Sequence, residues 1–142
     1  MGAASIKAMG WAQSFPVKSG VKAGRRWARG HLEGMGWTEL APETVDDVLL
    51  TVSELITNAH VHAHSDAQVV LTWDRVCLHV SVTDASTEVP APRAADPDSV
   101  SGRGMAIVDA LADSWETHAQ AGGKTISACF RPPGQRDPHA ES

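Results

Sequence analysis

Three well-separated clusters in this chain carry side chains suited to chemistry. The first is Glu54-Leu55-Ile56-Thr57-Asn58-Ala59, followed by His62-Ala63. Four residues is close to one helical turn, so Glu54 and Asn58 point the same way on a helix. An Asn oxygen suits a hard cation such as Mg2+, which keeps several waters and leans on phosphate oxygens. A carboxylate one turn away can accept the proton of a hydroxyl or water attacking a γ-phosphoryl group. The stripe lies away from the apolar face of its helix, so a solvated face is the competing reading.

The second cluster is a single carboxylate, Asp84, at the end of the alternating run Val76–Asp84. The alternation sets Asp84 on the face of Val76, Leu78, Val80 and Val82. A carboxylate at the end of an apolar face is costly without partners. The exocyclic amino group of adenine is one such donor, and a strand-end Asp opening a turn is the plainer alternative. The third cluster is Gly102-Arg103-Gly104-Met105, expected between a long loop and a helix. Glycines let backbone N–H groups approach phosphate oxygens, and a helix N-terminus favours anions. Arg103 can add a charge-assisted contact. The Gly-Lys-Ser/Thr ending of a P-loop is absent.

These residues need a scaffold, and its elements are readable. Residues 11–16 read as a short edge strand ended by Pro16. Ser19 offers an N-cap for a helix through Leu32, closed by Gly34 and Gly36. Pro42 opens a second helix over about 42–64, with Val45, Val48, Leu49, Val52, Leu55, Ile56, Ala59 and Ala63 as its core stripe. Gln68–Trp73 and Val76–Asp84 read as a hairpin across Asp74-Arg75. Residues 85–103, with Pro90, Pro92 and Pro97, read as a long loop of the functional kind. A helix over about 104–113 and a second hairpin, 114–120 and 124–130 across Gly122-Gly123, complete the order. The expected fold is α+β, a two-layer α/β sandwich whose mostly antiparallel sheet is covered by helices on one face. One domain is expected over 11–131, between a loose arm, 1–10, and a frayed tail, 132–142.

Composition narrows the function classes. The chain has 142 residues, a hydrophobic fraction of 42% and a net charge of −5. That length suits one domain with one core. The negative balance gives no electrostatic reason to bind nucleic acid. No apolar run reaches the 18 residues of a membrane span, and the start shows neither a signal-peptide stretch nor a complete myristoylation signal. Two cysteines, Cys77 and Cys129, sit in separate strand-like runs without metal spacing, so they read as small sheet or core residues of a reducing, cytoplasmic compartment.

In this order and spacing, the three clusters resemble the ATP-binding module shared by histidine kinases, Hsp90, DNA gyrase and MutL. More narrowly, they resemble the bacterial anti-sigma-factor serine/threonine kinases of actinobacterial type. Glu54–Ala63 resembles the family's N-box, Val82-Thr83-Asp84 the start of its Asp-x-Gly box, and Gly102–Val108 its glycine box. Gly122-Gly123-Lys124-Thr125 resembles the last segment, and the likeness spans about residues 11–131. The resemblance implies a Bergerat-type fold with ATP and Mg2+ as cofactors. Asn58 would coordinate Mg2+, Glu54 would be the catalytic base, and Asp84 would bind the adenine amino group. Gly102, Arg103, Gly104 and Met105 would belong to the nucleotide site, under a lid at 86–101. It also implies phosphorylation of a serine or threonine on an anti-anti-sigma (STAS-type) partner, sequestration of a sigma factor, and a homodimer. Three departures stand out. Ser86 replaces the glycine of the second box, and Val100 replaces a basic residue. The closing Gly-Thr is spread over Gly123-Lys124-Thr125, which weakens the case for Thr125 as an adenine contact.

Other constellations are weaker. His60 and His64 share a helix face but lack the Glu of a zinc-protease motif and a third ligand. His62 belongs to the N-box pattern and is expected to orient its neighbours. Ser53 and Ser127 lack the setting of a hydrolase nucleophile. Two functions therefore compete: a kinase that regulates a sigma factor by partner exchange, and an ATP-ordered interaction module without phosphotransfer. A histidine-kinase fragment is disfavoured, because no dimerisation helix with a phospho-accepting histidine accompanies the domain.

Overall fold

The computed structural model describes residues 9–85 and 100–133, with the side chains of 100–104 left aside. Strand β1 (Met9–Phe15) leads through a short 3-10 turn into helix α1 (Gly20–Gly34), a single-turn helix α2 (Trp37–Leu40) and helix α3 (Pro42–Thr57). A π-helical turn, Asn58–His62, continues α3. Strands β2 (Ala67–Trp73) and β3 (Leu78–Asp84) follow, then helix α4 (Val100–Leu111) and strands β4 (Ser114–Gln120) and β5 (Gly123–Phe130).

The five strands form one sheet in the order β1-β2-β3-β5-β4, and every pairing is antiparallel. The two-layer α+β sandwich expected from the sequence is the fold observed. The inner face of β3 is Leu78, Val80, Val82 and Asp84, and that of β5 is Lys124, Ile126, Ala128 and Phe130. Helix α3 lies against this face between α1 and α4. It buries Val45, Val48, Leu49, Val52, Leu55 and Ile56, each such side chain contributing about 1.5–3 kcal/mol of burial. The outer face carries hydroxyl pairs instead: Ser81 with Ser127 at 2.9 Å and Thr83 with Thr125 at 2.7 Å.

Several local readings change. Ser19 stands before α1, but its hydroxyl donates to the Pro16 carbonyl at 2.8 Å rather than capping the helix. The β2–β3 turn is held by Asp74, whose carboxylate accepts from the N–H groups of Val76 (2.9 Å) and Cys77 (2.8 Å). This is an Asx-type turn, in which a side chain replaces a backbone acceptor. Cys77 and Cys129 are joined as a disulfide between the β2–β3 turn and β5, with Cα atoms 5.8 Å apart. The expectation of two separate, reduced cysteines is thereby corrected. The pair lies 52 positions apart in sequence, so only the sheet register brings the sulfurs together. No helix among the described residues is long and apolar enough to cross a membrane. Over 86–99, the expected lid lies outside the described residues.

Candidate functional site

The N-box helix ends in an irregularity that the sequence pattern hides. At Asn58 the α-helical ladder gives way to π geometry, and the N–H of Ala63 donates to the Asn58 carbonyl at 3.2 Å. A π-turn inserts one residue into the repeat and recurs at functional sites. Its consequence here is an exchange of histidine roles. His60 is buried, with Nε2 2.8 Å from the Phe15 carbonyl at the end of β1. His62, expected to orient its neighbours, is exposed. Among the described residues no group of three or more His, Cys, Asp or Glu is placed to hold a metal ion.

Asn58 itself is 6% exposed. Its side-chain Nδ2 donates to Sδ of Met105 on α4 at 3.4 Å. A thioether is a weak acceptor, so the contact orients the amide more than it stabilises the fold. With the nitrogen turned to Met105, Oδ1 is the end suited to a hard cation. Glu54, one turn earlier, is half-buried and keeps contact with water. The solvated-face reading therefore fails for Asn58. Met105, expected among the nucleotide-binding residues, is fully buried in the core, where it backs Asn58.

Asp84 sits where the alternation of β3 predicts, on the inner face. A cationic partner comes from the chain itself. Lys124 pairs with Asp84 in the β3–β5 register, and its Nζ lies 3.1 Å from Oδ1 and 2.9 Å from Oδ2. The two side chains are 7% (Lys124) and 2% (Asp84) exposed. Asp84 is therefore not an acceptor waiting for adenine alone; it is half of a buried ion pair. Gly123 permits this approach, because a Cβ there would collide with the Asp84 carbonyl oxygen. Thr125, weighed as an adenine contact, points to the opposite face and bonds Thr83. The inserted lysine explains the change: alternation gives the inner position to Lys124 and the outer one to Thr125. A cavity of about 300 Å³ opens beside Asp84 but not Lys124, lined by Ser65, Gln68, Thr83, Asp84, Gln120 and Gly123 among others.

The glycine cluster is also repositioned. Helix α4 begins at Val100, so Gly102, Arg103 and Gly104 lie within its opening turns rather than in a loop before it. An N–H as far in as that of Gly104 belongs to the helix's own ladder. The first turn of α4, which includes the N–H of Gly102, is the anion-favouring feature.

The donor set fits a magnesium-nucleotide: a buried carboxamide oxygen, a half-buried carboxylate one turn before it, and a carboxylate–ammonium pair on the neighbouring strands. In sequence, residues 18–130 match the family described as histidine kinase-like ATPase domain. The chain belongs to that family. The fold is shared with a crystal structure of the RsbU and RsbW domains of Rv1364c from Mycobacterium tuberculosis, at a TM-score of 0.66 and 17% identity. The match covers 87% of this chain but 32% of that longer one. No curated protein matches significantly in sequence. The family assignment agrees with the sequence resemblance, and the Rv1364c match shows the fold alone.

Proposed function

We propose that this histidine kinase-like ATPase domain binds ATP with Mg2+ and acts as an anti-sigma factor. In this reading it transfers the γ-phosphoryl group to a serine or threonine of a STAS-type anti-anti-sigma partner. The observation that carries the reading is Asn58: a buried carboxamide in a π-turn, oriented by Met105, with Glu54 one turn away. Asn58 would hold the metal, which supplies charge neutralisation at the phosphates when bound. Glu54, half-buried beside Asn58 on the same helix, is the group we assign as base for the attacking hydroxyl. Asp84 and Lys124 are assigned to the base end. Gly102, Arg103 and Gly104, in the opening turns of α4, are assigned to the phosphate end.

The assignment of Glu54 separates kinase from binding module. Glu54→Gln should bind Mg·ATP within about twofold of the parent while losing phosphotransfer by at least about a hundredfold. The assay is labelled-phosphate transfer to candidate STAS-domain proteins, with binding measured in parallel by calorimetry. Equal transfer by parent and variant removes Glu54 from the mechanism. A parent that binds ATP but phosphorylates no candidate leaves an ATP-dependent partner switch as the function. Size-exclusion chromatography with light scattering tests the homodimer that this role implies.

A further inference from the structure

Charge is distributed unevenly along this chain. Residues 1–32 hold six of the twelve Lys and Arg residues and none of the seventeen Asp and Glu. Helix α1 concentrates the excess. Its Lys22, Arg25, Arg26 and Arg29 recur at steps of three and four, so they share one side of the helix. All four are exposed, and among the described residues none of them forms an ion pair. A solvated helix face ordinarily alternates both signs. Here no acidic residue stands in the first turn of α1, and like charges one turn apart repel. Helix stability does not account for the pattern.

The four cations face a groove. With Asp46 and Leu49 of α3 they line a cavity of about 380 Å³. Gly24 lets the two helices close here, because a Cβ there would collide with the Ile56 side chain of α3. Arg25 reaches across the groove. Its Nη1 donates to Oγ of Ser53 at 3.2 Å, and that hydroxyl donates in turn to the Leu49 carbonyl at 3.0 Å. A guanidinium carries five N–H donors, so most of the fork stays open to a ligand. A fork already held in place loses less freedom on meeting a carboxylate. Leu50, one turn after Asp46 on the same side of α3, is 42% exposed.

We infer that the α1–α3 groove is a docking surface for an acidic segment of a partner protein, presenting carboxylates at helical spacing with a leucine-type side chain among them. Arginine forks take carboxylates bidentately, and Leu50 offers the apolar side chain a contact. A long polyanion fits less well. A nucleic-acid duplex or an anionic membrane reaches past the groove, over residues 33–142, which set six cations against seventeen carboxylates. Asp46 also stands in the groove itself. None of the lining residues belongs to the proposed nucleotide site, so the surface goes beyond ATP binding and is tested without it.

The test is fluorescence anisotropy of the intact chain with a labelled amphipathic peptide of about 15 residues, in which Glu and Leu recur at helical spacing. The parent is expected to bind it with a Kd of about 100 μM or tighter at ~50 mM salt, and at least about fivefold more weakly at ~300 mM. The same peptide with Gln for Glu should bind at least about tenfold more weakly. Arg26→Gln/Arg29→Gln should lose at least about tenfold. Arg75→Gln/Arg131→Gln removes the same charge from exposed positions outside the groove and should change binding by less than about twofold. No binding by the parent overturns the inference, as does an equal loss in the two double variants, which would reduce the effect to net charge. Tighter binding to a 20-base-pair DNA duplex or to phosphatidylserine vesicles than to the peptide also overturns it and makes the groove a general polyanion site. All four substituted arginines are exposed, so the variants should keep the parent's circular dichroism, and every one of these outcomes leaves the ATP reading untouched.

Discussion

Removing Lys124 alone should destabilise the domain far more than removing Lys124 and Asp84 together. The ammonium and carboxylate lie 2.9 Å apart with side chains 7% and 2% exposed. At an effective dielectric of about 20, opposite unit charges at that distance attract by roughly 5–6 kcal/mol. Lys124→Met keeps the stem's volume but takes the ammonium away from the carboxylate, and breaking a buried pair in this way costs about 3–5 kcal/mol. A chain of 142 residues unfolds with an entropy of roughly 0.3 kcal/mol/K, so the expected loss in Tm is about 10–17 °C. The double variant Asp84→Leu/Lys124→Met places two apolar side chains on an apolar face. It should fall within about 1 kcal/mol of the parent or exceed it. Urea unfolding followed by fluorescence of the five tryptophans gives both values, and the double-mutant cycle gives the coupling. A single-variant cost below about 1 kcal/mol would mean that water reaches the pair and screens it as it does a surface pair, refuting the reasoning.

Two further outcomes follow from the β2–β3 turn and the disulfide beside it. The Asp74 carboxyl is pulled down to about 2, first by the N–H of Cys77, with His79 and the N–H of Val76 adding to it. A depressed carboxyl stabilises the fold above its unfolded value and loses that contribution as pH falls from about 4 toward 2; a side-chain carboxyl titration by NMR with its midpoint near 4 would contradict the turn geometry. Reduction of Cys77–Cys129 opens a long loop in the unfolded chain and should lower stability by about 2–4 kcal/mol, whereas identical melting curves with and without reductant would show the thiols to be unpaired in solution.

The sheet is legible in the sequence because its signals are local. The alternation of Leu78, Val80 and Val82 is enough to place Asp84 on the inner face, and Gly122 at φ 79° closes the second hairpin where the sequence indicates. The amphipathic stripe of α3 and the edge position of β1 are likewise readable. Non-local and subtle features are not. The π-turn at Asn58 adds one residue to the helical repeat without changing its apolar pattern, so nothing in that pattern reveals the exchange of roles between His60 and His62. Helix α4 begins at Val100, ahead of two glycines whose low helix propensity argues for loop. The disulfide depends on strand pairing across 52 positions. Lys124 does leave a signal: counting back from Phe130, Ala128 and Ile126 in steps of two puts it on the apolar face, opposite whatever ends β3.

The metal-dependent nucleotide site at Asn58 is the central claim. Calorimetry of the parent and of Asn58→Ala, each titrated with ATP in Mg2+ and in EDTA, tests it without needing a partner protein. The parent should bind ATP more tightly in Mg2+ than in EDTA, by about tenfold or more, and Asn58→Ala should bind equally in both, because the hard oxygen ligand is gone. Circular dichroism should show the variant folded, since Asn58 contributes only a weak bond to the Met105 sulfur. A folded Asn58→Ala that keeps the full magnesium dependence of the parent would contradict the assignment, and with it the proposed role of the N-box helix.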